Sequence, residues 1–372
     1  MALLVPSQAL GVPVRSDPIP SATFDGAVQA AVYSGDVIYL GGDFTHAIVN
    51  GIGYRRDRLA AVDARTGALL DWTPSANGRV TAIAVDSSGV YVGGDFTAID
   101  LKARDNLAKL SRFDGQPLPG FQQRIYGSVR AVAVGGGRVY AGGSISQVGR
   151  EARGRLAAFD AETGSLDTGW APMADDNVYS LLATDDRVYV GGRFGSIDGY
   201  SKTQKLAAVH PVTGEVDGSF QSRVHAYVNA IVVSGGAVYA GIDGGGGRAT
   251  AMSLSGDLKW TVSMDGDIKA MALLDDHLYV GGHFDAVCKT NRLGTIDGMR
   301  GSQCLDGSYR RIKMAAFSLD GGLQPWAVEA SGTVGVSTMM ANPSLGQLLV
   351  GGYFKHVNGA GQERFALFNL SS

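Results

Sequence analysis

A short apolar strand that closes on two small residues returns seven times along the chain. The copies are Ile38-Tyr39-Leu40-Gly41-Gly42, Val90-Tyr91-Val92-Gly93-Gly94, Val139-Tyr140-Ala141-Gly142-Gly143, Val188-Tyr189-Val190-Gly191-Gly192, Val238-Tyr239-Ala240-Gly241-Ile242, Leu278-Tyr279-Val280-Gly281-Gly282 and Leu348-Leu349-Val350-Gly351-Gly352. The first glycine falls at 41, 93, 142, 191, 241, 281 and 351, so the steps are 52, 49, 49, 50, 40 and 70 residues. A period of this length marks an array of supersecondary units, none of which can bury its apolar face alone. The repeat also accounts for the composition. Glycine makes up 54 of 372 residues, about twice the ordinary share, without the three-residue period of collagen. A hydrophobic content of 45% excludes disorder.

Each copy has the same internal grammar. An alternating strand such as Val80-Thr81-Ala82-Ile83-Ala84-Val85 precedes the glycine pair, joined to it by a tight turn. A longer loop follows, then Leu59-Ala60-Ala61-Val62-Asp63 or its equivalents, a Thr-Gly turn such as Thr66-Gly67, and a last strand ending near Trp72, Trp170 or Phe220. Four short strands of period 2, punctuated by turn residues and with no sustained helical period, predict an all-β chain. The expected fold is a seven-bladed β-propeller with four antiparallel strands per blade. The chain ends after the third strand of its last copy, so an N-terminal strand is expected to close that blade. A single domain over 1–372 results, with 1–27 as closure segment and 283–312 as a long loop insertion in blade 6.

The sequence Gly41-Gly42-Asp43-Phe44-Thr45, repeated as Gly93-Gly94-Asp95-Phe96-Thr97 and followed by Arg-x-x-Leu-Ala and Asp-x-x-Thr-Gly, resembles the bacterial delta-60 repeat β-propellers over nearly the whole chain. That resemblance implies the fold and an exported protein, and no particular reaction. A weaker similarity, through Asp63-x-x-Thr66-Gly67 and the tryptophan ending a unit, is to pyrroloquinoline quinone propellers. These usually have eight blades and a vicinal disulfide, whereas the two cysteines here are sixteen residues apart.

Lys and Arg number 32 against 35 Asp and Glu, a net charge of −3, which leaves no electrostatic footprint for nucleic acid. No apolar run reaches the roughly 18 residues of a membrane-spanning helix. No nucleophile elbow, P-loop, HExxH or EF-hand loop is present, so neither a cofactor nor a metal is expected.

The two hairpin turns of each blade are minimal, so the long loops share the opposite face, where binding groups belong. A base opens the third strand as Arg58, Arg155, Lys205, Arg248, Lys313 and Arg364, and is expected to pair with the acid after the glycine pair, as Arg58 with Asp43. Departures from the repeat are the better site candidates. The Asp43 position becomes Ser144, Arg193, His283 and Tyr353, and the opening of the first strand reads Gln29, Thr81, Arg130, Tyr179, Asn229, Lys269 and Gly335. Ligand-binding candidates are therefore Arg130, Tyr179, Arg193, Tyr227, Asn229 and Tyr353. Candidates for acid–base work are His225, Asp267, Lys269 and His283.

From the second residue of the pair to the third strand, the steps are 16, 12, 12, 13, 6, 31 and 12 residues, so blade 5 is nearly loopless and blade 6 carries an excursion. A long excursion beside a cleft is the arrangement of a lid or partner-binding arm. It holds Cys288 and Cys304, which are expected to form a disulfide and so to imply an oxidising compartment. The disulfide favours the expectation of a secreted or extracytoplasmic monomer with its export signal removed and Met1 added; the other reading of the N-terminus is a cytoplasmic protein. The expected function is binding of a small polar organic ligand, a glycan or a protein partner on the loop-rich funnel face. The alternative is a cofactor-independent hydrolase, lyase or cyclase with its active site in the funnel under the blade 6 loop.

Overall fold

The computed structural model describes residues 13–244, 246–291, 299–300 and 303–371. The start of the expected closure segment (1–12) and two stretches of the expected insertion (292–298 and 301–302) lie outside the described residues. The fold is all-β, and among the described residues the helical segments are two short 3-10 turns, Ser201–Thr203 and Pro343–Leu345. No helix there is long and apolar enough to cross a membrane.

Each sequence repeat folds as its own antiparallel sheet, with chain order as spatial order. Repeat 1 uses Val28–Ser34, Val37–Gly42 and Leu59–Asp63; repeat 2 uses Val80–Val85, Val90–Gly94 and Leu107–Leu110. Repeat 3 uses Val129–Gly135, Arg138–Gly143 and Leu156–Asp160; repeat 4 uses Val178–Ala183, Val188–Gly192 and Leu206–Val209. Repeat 5 uses Val228–Ser234, Ala237–Ile242 and Arg248–Ser253; repeat 6 uses Asp267–Leu274, His277–His283 and Met314–Ser318; repeat 7 uses Val336–Asn342, Gln347–Gly352 and Phe365–Asn369.

The fourth position is a full strand only in repeat 5, as Leu258–Met264, among the described residues. Elsewhere it shrinks to single bridges such as Val62 with Leu69, Phe159 with Leu166 and Val209 with Val216. The cause is local. After the bridge come Asp167 and Asp217, whose side chains accept the N–H of Gly169 (3.0 Å) and Ser219 (2.9 Å), closing turns that lead the chain off the sheet. Leu258–Met264 has no Asp, Gly or Pro and continues its ladder.

The glycine pairs set how closely sheets approach. A Cβ on the first glycine would lie 2.5–2.8 Å from a branched side chain that opens the next repeat: Gly41 against Val80, Gly93 against Val129, Gly241 against Ile268, Gly281 against Val336 and Gly351 against Val28. The last of these joins repeat 7 to repeat 1. A Cβ on the second glycine would overlap a carbonyl oxygen just before its own first strand, that of Ala27 for Gly42 and of Ser128 for Gly143. First strands of successive repeats pack side by side, and that of repeat 7 packs on that of repeat 1.

Aromatic residues lock each sheet to the next. Tyr39 packs on Trp72, Tyr140 on Trp170, Tyr239 on Trp260 and Tyr279 on Trp326. The indole N–H groups of Trp72, Trp170 and Trp260 donate to carbonyls of the following repeat, at Ser111 (2.9 Å), His210 (3.1 Å) and Leu319 (2.8 Å). For Trp326 the acceptor is Arg15, in the N-terminal segment (3.4 Å). That segment runs beside Phe365–Asn369, with bridges from Val14 to Leu370 and from Ile19 to Leu367. It therefore lies along the outer edge of the third strand of repeat 7.

The basic residue opening the third strand has a backbone explanation. Arg58, Asn106, Arg155, Lys205, Lys313 and Arg364 all have φ between 65° and 69°, the left-handed region. Each N–H reaches back to the residue two beyond the glycine pair, as Arg58 to Phe44 (2.9 Å) and Lys313 to Phe284 (2.7 Å). Each carbonyl accepts from the second residue of the pair, as Arg58 from Gly42 and Arg364 from Gly352. No ion pair joins Arg58 to Asp43; the side chains of Lys205 and Arg364 instead donate to the backbone carbonyls of Arg193 and Tyr353. Left-handed geometry in a non-glycine residue costs about 1–2 kcal/mol, so these repeated backbone and side-chain bonds offset a repeated strain.

Two outcomes follow for stability. Gly42→Ala should cost about 3 kcal/mol through the forced overlap with Ala27, whereas Gly361→Ala, with open space around it, should stay within about 0.5 kcal/mol; denaturant unfolding of both variants measures the contrast. Truncation before Ser21 removes the bridges to Leu367 and Leu370, and should lower the thermal midpoint by several degrees.

Candidate functional site

Every first strand carries one β-bulge, and the bulged residue is Gln29, Thr81, Arg130, Tyr179, Asn229, Lys269 and Ser337 in chain order. A bulge re-aims one side chain out of the alternation of its strand. In repeat 7 the residue is Ser337, not Gly335. Four residues, Gly332 to Gly335, lie between Ser331 and the strand, against two between Asp25 and Val28, and displace the alignment. Gly335 takes the place of Ala27, its carbonyl facing Gly352.

The bulged side chains interact across repeat boundaries. Gln29 Nε2 donates to the Tyr353 hydroxyl at 2.8 Å, and Thr81 Oγ1 donates to the Val129 carbonyl at 2.9 Å. Arg130 places its guanidinium 5.7 Å from the centre of the Tyr179 ring. Arg193 pairs with Asp176 at 3.1 Å and lies 5.4 Å from the Tyr227 ring, with Lys205 Nζ 5.5 Å from the same ring. Burial, and then the negative charge of Asp43, push the Tyr353 hydroxyl up.

The densest assembly of charge is between repeats 5 and 6. Lys269 Nζ donates to Asp243 Oδ2 at 2.8 Å and lies 3.4 Å from Asp267 Oδ2. Asn229 Nδ2 donates to Asp243 at 3.3 Å and to the Ile268 carbonyl at 3.0 Å. The Gly244 N–H donates to both carboxylates, at 2.6 Å to Asp243 and 3.3 Å to Asp267. These side chains are half-buried, with Lys269 33%, Asp267 25% and Asp243 21% exposed. Burial opposes ionisation of Asp243, but hydrogen bonds with Asp267, Lys269 and Asn229 and the ammonium charge outweigh it and hold the carboxyl low. Burial, reinforced by the hydrogen bond and negative charge of Asp243, pushes Asp267 up. Two carboxyls beside one ammonium thus divide into an acceptor and a group biased toward its proton.

The structure brings together Asp267, Lys269 and Asn229 of the residues anticipated from sequence, and adds Asp243. His283 pairs with Asp267 in the ladder, but its exposed ring makes no hydrogen bond or ion pair among the described residues. His225 stands apart, exposed on the connector before repeat 5. Asp243 occupies the position of Asp43 and Asp95. It was not singled out from sequence because it keeps the acid that follows the pair in repeats 1 and 2.

The loops after the glycine pairs have a common construction. In repeat 1, His46–Val49 and Ile52–Arg55 form a hairpin that pairs with Thr23–Phe24, the connector entering the same repeat. Asp25 caps it, accepting the N–H groups of Thr45 (2.7 Å) and His46 (2.9 Å). Burial opposes ionisation here as well, and hydrogen bonds from Thr45 and His46 prevail, holding the Asp25 carboxyl at about 2. Asn77, Asp175, Asp265 and Ser331 cap the same way in repeats 2, 4, 6 and 7. The long loop of repeat 6 follows this plan: Ala286–Asn291 pairs with Leu258–Met264 and with Ser308–Arg310, extending the sheet of repeat 5 to six strands. Cys288 and Cys304 form a disulfide within it. Repeat 5 has no such hairpin among the described residues. A cavity of about 280 Å³ opens there, lined by Val224, Ile242, Thr250, Leu258 and Thr261 with Arg223 and His225.

No family model matches the chain, and no curated protein matches its sequence. Its structure is similar to the WD40 β-propeller domain of Doa1, with 13% identity, 95% of this chain and 97% of that chain covered and a TM-score of 0.59. It is similar to U3-55K with 12% identity, 95% and 100% covered and a TM-score of 0.63. It is similar to the computationally designed Ika8 protein with 16% identity, 94% and 98% covered and a TM-score of 0.52. At these identities the likeness shows the fold alone. The chain has the fold of a β-propeller.

Proposed function

We propose that this chain is an exported, monomeric β-propeller of delta-60 repeat type whose seven blades close into a ring, the N-terminal segment completing the seventh, and whose rim binds a small polar organic ligand between blades 5 and 6. The ring is supported by the contact of Gly351 with Val28 and by the Arg15 acceptor for Trp326. Export is supported by the disulfide, which belongs to oxidising compartments.

One observation carries the ligand reading: Asn229, Asp267 and Lys269, from the first strands of two repeats, and Asp243, just past the end of Ala237–Ile242, converge half-buried. Rigid strands fix these groups better than loops do. The set places donors (Asn229 Nδ2, Lys269 Nζ) beside acceptors (the carboxyls of Asp243 and Asp267), a pattern matched by vicinal hydroxyls. Desolvation at such a site rejects ligands that leave its polar groups unpaired. Tyr227 and Tyr179 supply ring faces along the same rim, although Arg193, Lys205 and Arg130 already lie against them.

A second reading, cofactor-independent catalysis, is favoured by one specific feature, the proton-biased Asp267 beside ionised Asp243. Such a pair can divide general-acid and general-base work. In that reading Lys269 keeps Asp243 ionised, and His225 has no part.

A thermal-shift panel of neutral hexoses, amino sugars, uronic acids and polyols tests the binding reading. At least one hydroxyl-rich compound should raise the midpoint of the native protein, and Asp243→Asn should remove about 2 kcal/mol of that ligand's binding free energy. An empty panel, or a shift unchanged in Asp243→Asn, contradicts it.

A further inference from the structure

We infer that repeat 5 takes an extended strand from another protein into the place that a hairpin of this chain fills in the other six repeats. The argument rests on internal equivalence. In those repeats a buried hairpin residue sits opposite a buried connector residue: Ala47 on Phe24, Ile99 on Ala76, Val148 on Ile125, Ile197 on Ala174, Val287 on Met264 and Val357 on Ala330. The connector residue of repeat 5 is Val224, and it lines the 280 Å³ cavity instead. Only five residues separate Ile242 from Arg248, too few for a hairpin of the kind the other repeats carry.

The main chain is prepared in the same way. The connector N–H after the buried residue donates to a hairpin carbonyl, as Asn77 to Ala98 and Asp265 to Ala286, each at 3.2 Å. The connector carbonyl before it accepts from the hairpin, as Met173 from Asp198 and Glu329 from Asn358, each at 2.9 Å. Their counterparts in repeat 5, the His225 N–H and the Arg223 carbonyl, make no hydrogen bond among the described residues. An unpaired donor and acceptor flanking an aliphatic pocket form the template for strand addition, where main-chain bonds give affinity and the pocket gives specificity. Arg223 has φ 50°, a left-handed geometry absent from its counterparts Thr23, Ser75, Arg124 and Met173. The added strand would draw it out.

The occupant's chemistry can be specified. Its anchor is Ile or Val, as at Ile99, Ile197 and Val287. The capping position, an acceptor in Asp25, Asn77, Asp175 and Asp265, is His225 here, beside the exposed Arg223 and Lys202. An imidazole that can donate, with Arg223 and Lys202 beside it and Asp257 the one carboxylate lining the cavity among the described residues, selects an acidic residue next to the anchor. The partner segment is therefore extended, acidic and anchored by one aliphatic side chain. It uses atoms distinct from the rim cluster, so either site can fail without the other.

The probe is acetyl-Gly-Glu-Ile-Asp-Gly-Tyr-amide, the repeat 4 hairpin segment 195–200 with glutamate in its second position. Titrated into the native protein and followed by amide NMR, it should shift Val224 and His225 saturably. Replacing its isoleucine by serine should weaken binding at least tenfold. His225→Glu should weaken the parent peptide at least fivefold and restore a peptide with lysine in place of the glutamate. Grafting residues 96–105 in place of 244–247 should plug the gap and abolish binding. Absence of saturable shifts, shifts confined to other repeats, or equal affinity for the isoleucine and serine peptides would overturn the inference.

Discussion

The close approach of neighbouring sheets at the paired glycines is the constraint on which the rest of the structure depends. With no Cβ on Gly41 or Gly351, Val80 and Val28 can pack directly on the backbone of the preceding repeat. With none on Gly42, the carbonyl of Ala27 can fold over the strand end, and the chain enters its first strand through a bulge. The left-handed residue that opens the third strand in six of the seven repeats belongs to the same knot, because its carbonyl receives the N–H of that second glycine. Backbone closeness, bulge and strained residue form one unit, repeated around the fold. Its outward consequence is a row of side chains, one per repeat, released from the alternation of the sheet.

Features fixed by local spacing were legible in the sequence. The glycine pairs gave the repeats, the Thr-Gly turns gave the third-to-fourth strand corners, and the sixteen-residue separation of Cys288 and Cys304 gave the disulfide. Features fixed by backbone conformation were not. Arg58 and Lys313 looked like halves of ion pairs with the acids after the glycines. Lys313 does pair with Asp285, at 2.6 Å, but the property common to these residues is a φ near 67°, which no residue type announces. Asn106 was the clue, since asparagine tolerates that region better than arginine does. The shortness of most fourth strands was readable in Asp167 and Asp217, had their turn-forming habit been weighed against the alternation before them.

The same distinction runs through the candidate site. Asp267, Lys269 and Asn229 stood out because they broke the repeat at a fixed offset from the first strand. Asp243 did not, because it keeps the repeat: an acid follows the pair in repeats 1, 2 and 5 alike. Its distinction comes from its neighbours. Asp43 caps the Ala27 N–H and Asp95 pairs with Arg79 at 3.4 Å, whereas Asp243 faces an ammonium and a second carboxyl at once. His225 was prominent as a histidine near a basic and an aromatic residue. In three dimensions it is a vacated cap, facing a gap instead of the rim.

The central claim is that the repeats converge on an unequal pair of carboxyls, Asp243 ionised and Asp267 holding its proton more tightly, with Lys269 between them. A carbon-detected NMR titration of the aspartate side chains measures this directly. Asp267 should titrate above the ordinary aspartate value and Asp243 below it, and Lys269→Met should raise both. Two ordinary, independent titrations, unmoved by Lys269→Met, would contradict the account.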